Sequence, residues 1–342
     1  MRPIRVALAL LALVAAGALA AQPENYGNRK EVRQFIAEMV ERHGFVGREL
    51  RTLFGRVHHQ PAIIRAMTPP PEAPVKSWQA YRALFVSSDR IEAGVRFREN
   101  YAGALARAAQ EFGVPADIIV AIIGVETVYG RNMGAYRVID ALTTLAFDFP
   151  RRGEFFRSEL ESFLLYARES GIDVLAAQGS YAGAFGIPQF MPGTYRRFAL
   201  DYDGDERRDL NSSAVDAIGS VANFLKAHGW EAGRPVAAPA QVSGDAFRKL
   251  IDAGIKPVHR IADLPAYGVA IGAATGAFPV AGVAQALPPE AGCALVELET
   301  PGQPPEYWVG LQNFYTLTRY NRSSFYAIAV LELAREIARA AR

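Results

Sequence analysis

The chain has 342 residues, half of them hydrophobic, which is enough for a large core or for two to three lobes. Its 37 Lys+Arg and 35 Asp+Glu nearly cancel, and removing Arg2 and Arg5 with a leader leaves 35 of each, so the excess positive charge that phosphate binding needs is missing and nucleic acid is not expected as a partner. A single cysteine, Cys293, excludes an internal disulfide, so stability must come from packing.

Residues 1–21 read as a cleavable secretory signal. Arg2 and Arg5 form the basic region, Val6 to Val14 the apolar region, and Ala18-Leu19-Ala20 the small-residue cleavage site. The apolar stretch is short for a membrane span, and no cysteine stands at the new N-terminus to take a lipid. The expected product is a periplasmic protein with no transmembrane segment and no lipobox.

From Asn28 to about Ala66 the pattern is helical. Val32, Phe35, Ile36, Met39 and Val40 form one stripe, with Gly44 as its stop, and Leu50, Leu53, Phe54 and Val57 mark a second short helix. Thr68 to Pro74 is Pro-rich and reads as a loop. Trp78 to Arg90 and Arg90 to Phe112 read as two further helices, the second ending at Gly113. His58 and His59 are adjacent, so on a helix they diverge by about 100° and do not make a metal pair.

The stretch VPADIIVAIIGVETVYG, residues 114–130, is predicted to be a helix with Pro115 at its start and Gly130 as its stop. Its apolar run must be largely buried. Glu126 shares a face with Ile119, Ile122 and Ile123. A carboxylate among isoleucines is penalised when ionised, so its pKa should rise, as a general acid near neutral pH requires. The alternative is a salt-bridged or solvent-reaching glutamate.

Pro150 breaks the following helical stretch and leaves Arg151 and Arg152 at its tip, either as surface charges or as ligands for a carboxylate. Residues 178–195, QGSYAGAFGIPQFMPGTY, are too rich in Gly and Pro for an element interior. Such a loop suits close backbone approach to a ligand, with Tyr181, Phe185 and Tyr195 as flat walls and Gln189 as an amide. A buried Gly-rich turn is the other reading.

In DYDGDERRD, residues 201–209, carboxylates fall at loop positions one, three, five and nine, the ligand spacing of an EF-hand calcium loop. The candidate ligands are Asp201, Asp203, Asp205, Arg207 at position seven, Asp209, and Asp216 if the loop is longer. Glu206 replaces the usual Gly at position six and Ser212 the bidentate Glu at position twelve, so an acidic surface turn is also open. Asp216 to His228 reads as a helix stopped by Gly229.

At Trp230 the composition turns to Gly, Pro, Ala and Val. Residues 231–305 read as a small β-containing lobe, with a strand near Ala294 to Leu298 and a short helix from Phe247 to Ala253. The aromatic-rich segment Tyr307 to Tyr320 and a final helix from Ser324 close the chain.

These pieces resemble the lytic murein transglycosylase B family in its soluble form. The carriers are GVETVYGRNMG (124–134), DALTTLAFDFPRR (140–152), GSYAGAFGIPQFMPGTY (179–195), the acidic loop, VDAIGSVANFLKAHGW (215–230) and NFYTLTRYN (313–321). The resemblance implies a mainly α-helical α+β fold with a lysozyme-like core in residues 91–230. An N-terminal helical lobe (22–90), the small β lobe and a C-terminal return to the core (306–342) complete it. It implies a carbon-oxygen lyase that cleaves the MurNAc-GlcNAc β-1,4 bond of peptidoglycan without water, helped by the sugar's N-acetyl group, and leaves 1,6-anhydro-MurNAc ends. Glu126 is then the catalytic acid and base, Ser180, Tyr181, Gln189, Tyr320 and Asn321 line the groove, and Arg151 and Arg152 contact peptide or sugar. No catalytic cofactor is implied, a structural calcium fits the acidic loop, and the protein is expected to act as a monomer. A lysozyme-type hydrolase and a non-catalytic murein-binding protein are the rival readings.

Overall fold

A computed structural model describes residues 25–68, 77–272 and 287–342. The expected signal segment and most of the expected Pro-rich loop lie outside them. Contacts divide the chain into two compact units, the first ending at His59 and the second running from Gln60 to Arg342.

The first unit holds α1 (Lys30–His43) and α2 (Gly47–Phe54). Val32, Phe35, Ile36 and Met39 are the buried residues of α1, as the stripe predicts, and Gly44 stops the helix at φ 66°. Phe35 meets Phe54 of α2 edge-on, with ring centroids 6.0 Å apart.

In the second unit come α3 (Pro61–Met67), α4 (Trp78–Phe85), α5 (Ser88–Asn100), α6 (Ala102–Phe112) and α7 (Ala116–Thr127). The single helix expected from Arg90 to Phe112 is two, because Tyr101 leaves helical backbone at φ −116°, ψ 26°. Nothing in the apolar spacing announces that break, since the stripe continues across it. Next are β1 (Tyr136–Arg137), α8 (Val138–Asp148), α9 (Gly153–Ser170), β2 (Gln178–Gly179), α10 (Pro192–Phe198) and α11 (Ala214–Ala227). The short strands β1 and β2 pair antiparallel, Tyr136 opposite Gly179.

Helix α7 is central. Every residue from Ile118 to Ile123 is fully buried, each isoleucine or valine side chain among them contributing roughly 1.5–3 kcal/mol. Helices α5, α6 and α11 pack on it, as does α14 (Ser324–Ala340) from the end of the chain. Among the described residues no single helix is long and apolar enough to cross a membrane. Helices α6 and α7 pass that test only as a pair bent by 113°.

The small lobe is an antiparallel five-stranded sheet. Its strands are β3 (Ala237–Val242), β4 (His259–Arg260), β5 (Val269–Ile271), β6 (Gly292–Leu298) and β7 (Glu306–Gly310), with α12 (Arg248–Asp252) between the first two. The spatial order is β4-β6-β7-β3-β5. Strand β7 is interior, Val309 facing Leu295 on one side and Ala238 on the other. The sheet therefore runs beyond the segment expected to end at residue 305. Phe247, Leu250, Leu264, Val269, Cys293, Leu295, Val309 and Leu311 form its core. Helix α13 (Gln312–Tyr320) then leads into α14.

Candidate active site

Glu126 is the penultimate residue of α7, and the chain reverses just after it. The expected stop at Gly130 comes two residues late, because Val128 and Tyr129 already take left-handed backbone at φ 52° and 61°. Such geometry costs on the order of 1–3 kcal/mol per non-glycine residue, so the surroundings must enforce it. Two glycines do so by making room. A Cβ on Gly124 or on Gly94 would stand 2.5 Å from the Tyr129 hydroxyl. The ring therefore seats between α7 and α5, and its hydroxyl donates to the Arg90 carbonyl at 3.0 Å. Thr127 adds a second tie. Its buried Oγ1 donates to the Ile187 carbonyl at 2.8 Å and accepts from Gly130 N at 2.9 Å. The end of the acid-bearing helix is thus bonded directly to the Gly-rich loop.

Glu126 as a whole residue is half-buried, and its carboxyl group is packed among protein atoms. The hydroxyl of Tyr326 on α14 donates to its Oε1 at 2.8 Å. Burial pushes its pKa up to about 7, against the smaller opposing pull of that hydrogen bond. Among the described residues no cation is paired with it, so the salt-bridged alternative is not realised. Three phenols surround the acid. Burial raises the pKa of Tyr81 to about 12, and Glu126 adds to the effect. Burial first, then the same carboxylate, lifts Tyr320 and Tyr326 well above the ordinary range. All three stay protonated, and Tyr320 and Tyr326 act as hydrogen-bond donors. Tyr320 donates to the Pro188 carbonyl at 2.6 Å, and its ring stacks near Tyr326 at 6.2 Å and 14°.

The Gly-rich loop is a tight hairpin in which Phe185 and Phe190 exchange backbone hydrogen bonds at 3.0 and 3.1 Å. Gln189, at φ 51°, spends its amide nitrogen on the Met133 and Gly186 carbonyls at 3.1 and 3.0 Å, so that donor braces the loop. Ser180 Oγ accepts from Ala184 N at 3.1 Å and keeps its own proton to donate. Of the three aromatic walls expected here, Tyr181 alone is exposed, at 45%. Phe185 and Tyr195 are core residues instead, stacked on each other at 5.1 Å with Tyr166 beside them. Their role is to make the loop rigid. Glu159 on α9 does the same, accepting at 2.7 Å from Gly193 N, where the loop enters α10.

Arg151 and Arg152 lie on an exposed 3-10 turn after Pro150, the Arg152 guanidinium 4.4 Å from the Phe155 ring. Asn321 is exposed at the end of α13.

In the acidic loop Asp201, Asp203 and Asp205 bring carboxylate oxygens within 4.8 Å of one another, all three exposed. Glu206 adopts φ 70°, the left-handed geometry for which glycine is usual, and its N–H donates to Asp201 at 2.9 Å. Asp209 instead accepts from the Asn211 and Ser212 N–H groups at 2.9 and 3.1 Å. Asp216 is buried and accepts from Tyr202, Asp203 and Asp209 N–H groups at 2.7, 3.2 and 2.8 Å. It clamps the two ends of the loop together. Three clustered carboxylates suit a hard cation with oxygen ligands, and the Arg207 carbonyl occupies the position that spacing assigns to a backbone ligand.

Sequence reading missed Tyr81, Thr127, Glu159 and Tyr326. For Tyr326 a signal existed: like Glu126, it places one polar group in a buried stripe, here with Ala327, Val330 and Leu333.

The family model of the transglycosylase SLT domain matches residues 27–335. Membrane-bound lytic murein transglycosylase B of Escherichia coli (strain K12) is 41% identical over 322 residues, covering 92% of this chain and 84% of that protein. The solved structure of catenated lytic transglycosylase SltB1 from Pseudomonas aeruginosa matches with a TM-score of 0.83 at 45% identity, over 93% of this chain and 100% of that one. Escherichia coli lytic transglycosylase SLT35 in complex with calcium matches at 0.79 and 41% identity, over 92% and 94%. The fold is accordingly the mainly helical α+β arrangement with a lysozyme-like core that the motifs implied. The chain belongs to the transglycosylase SLT domain family.

Proposed function

We propose that this protein is a peptidoglycan lytic transglycosylase in which Glu126 serves first as acid and then as base. The observation that carries the mechanism is the state of Glu126: burial holds its pKa near 7, and among the described residues Tyr326 is the one hydrogen-bonded partner of its carboxyl group. A protonated Glu126 donates to the leaving glycosidic oxygen of the MurNAc-GlcNAc bond. The carboxylate so formed takes the proton of the muramyl C6 hydroxyl as that oxygen closes on C1. An ordinary glycosidase divides this work between two carboxylates, and here no second one contributes to the field at Glu126 among the described residues. Ser180, Tyr181, Gln189, Tyr320 and Asn321 line the sugar groove in this reading, with Arg151 and Arg152 as cationic contacts to peptide or sugar beside it.

Calcium belongs to the same proposal as a structural ion. Asp201, Asp203 and Asp205 would hold it with the Arg207 carbonyl, while Asp209 and Asp216 shape the loop. The ion would fix the chain between α10 and α11. Export to the periplasm and action as a monomer complete the reading.

The test is the product. Purified sacculi are digested, treated with borohydride and examined by mass spectrometry. Fragments lighter by one water and resistant to reduction are expected; reducible full-mass muropeptides would make the enzyme a hydrolase, and no fragments would leave a binding protein.

A further inference from the structure

We propose that the groove between α5 and the turn after α7 binds a carboxylate of the peptide stems of the cell-wall glycan, with Arg96 and Arg131 as its cations. This rests on the reading of the chain as a peptidoglycan enzyme. The groove has a volume of about 500 Å³, within the range of pockets that hold small ligands. Phe97, Tyr129 and Ile187 give it an apolar floor, and Asn211 supplies an amide at one end. The rings of Phe97 and Tyr129 lie 5.4 Å apart.

The charges in it are not matched. Arg131 Nε donates to the Val128 carbonyl at 3.1 Å, which fixes the side chain and leaves the rest of its fork without a carboxylate among the described residues. Among the described residues Arg96 is paired only with Glu92, at 3.8 Å, with both side chains more than 60% exposed. Such a pair is weak and easily exchanged for a ligand. A third guanidinium reinforces the field. Arg90, two turns before Phe97 on α5, has Nε and one Nη buried without hydrogen-bond partners among the described residues, and its pKa is lowered first by burial and then by the charge of Arg131, against the opposing pull of Tyr129. Two arginines line the groove with Arg90 behind Tyr129, and of the acids beside it Glu92 is loosely held while Asp209 is already engaged by the Asn211 and Ser212 N–H groups, which leaves the guanidinium forks open to an anion. Guanidinium forks pair with a carboxylate in planar, two-pronged fashion, and an amide at the end suits a peptide rather than a bare ion.

The site also bears on the reaction. Its wall contains Tyr129, Gly130 and Ile187, and Thr127 joins that same turn to the Ile187 carbonyl next to Glu126. A stem held here would tether its glycan at the end of the acid-bearing helix.

Peptide stems released from sacculi by an amidase are titrated calorimetrically into the Glu126→Gln protein, and since they carry no glycosidic bond the heat reads binding alone. Replacing Arg131 or Arg96 by Gln in that background should weaken binding about tenfold each, and Lys at either position should restore part of it. Stems whose carboxylates are converted to amides should not bind. No binding of unmodified stems, or equal binding with and without the arginines, would overturn the proposal. Inorganic phosphate bound as tightly as the stems would also overturn it, in favour of a free-anion site. If a Gln variant fails to fold, judged by its melting curve, the Lys variant and the amidated stems still decide. Stem binding through the arginines in a protein whose wild type cleaves no sacculi would keep this site and overturn the enzymatic reading.

Discussion

The hydroxyl of Tyr326 meets Oε1 of Glu126 at 2.8 Å across a separation of 200 residues. It is the hydrogen bond that favours the ionised acid, and it opposes the burial that favours the protonated one. Tyr326→Phe should therefore raise the Glu126 pKa above 7, by about one unit for a bond to a charged group. The alkaline limb of the kcat/KM profile should move up with it. A profile that does not move, in a variant with wild-type melting, would mean that the bond does not govern the acid.

Glu126→Gln keeps the size and the acceptor of the side chain but cannot donate the proton. Turnover of sacculi should fall about 10²–10⁴-fold. More than a tenth of wild-type turnover would remove Glu126 from the chemistry.

The same substitution has a signature in stability. The folded-state pKa of Glu126, near 7, lies above the ordinary 4.5, so ionising it costs stability. That cost is absent below pH 4.5, grows between 4.5 and 7, and is then complete, on the order of 3 kcal/mol. At pH 8 the Gln variant should melt several degrees above wild type, and at pH 4 the two should coincide. Equal melting temperatures at pH 8 would show an acid of ordinary pKa.

Gly124→Ala should disrupt the turn after Glu126, because the added methyl would collide with the Tyr129 ring at 2.5–2.6 Å. A loss of about 1–3 kcal/mol in denaturant unfolding is expected. Pairing it with Tyr129→Leu should return part of that loss. A Gly124→Ala protein as stable as wild type would show that the ring is not confined there.

Adding millimolar calcium to chelated protein should raise the melting temperature, since three clustered carboxylates repel one another without a cation. Asp203→Asn should reduce the response, while leaving Glu126 chemistry intact when calcium is absent. Wild-type melting indifferent to calcium would make the loop an acidic turn braced by Asp216 alone.

The burial of α7, the placement of Glu126 within it and the helix stops at Gly44, Gly113 and Gly229 were determined by the sequence itself. Each follows from a local pattern: an apolar period of 3.6, or a residue free to take positive φ. The three stops take φ of 66°, 72° and 93°. The acidic spacing from Asp201 to Asp209 was equally legible, since it lies within one loop. Tertiary structure decided the rest. Helical periodicity could not say that the chain leaves the helix at Val128, because that turn exists only where Gly94 and Gly124 make room for Tyr129. Nor could it divide Tyr307 to Tyr320 into an interior strand and a helix, since the strand is defined by partners on both sides. Composition marked Phe185 and Tyr195 as aromatic, but packing buried them and left Tyr181 outside. The partner of Glu126 lies on the last helix, and an interaction that joins distant segments is set by how the helices pack rather than by any period along one of them.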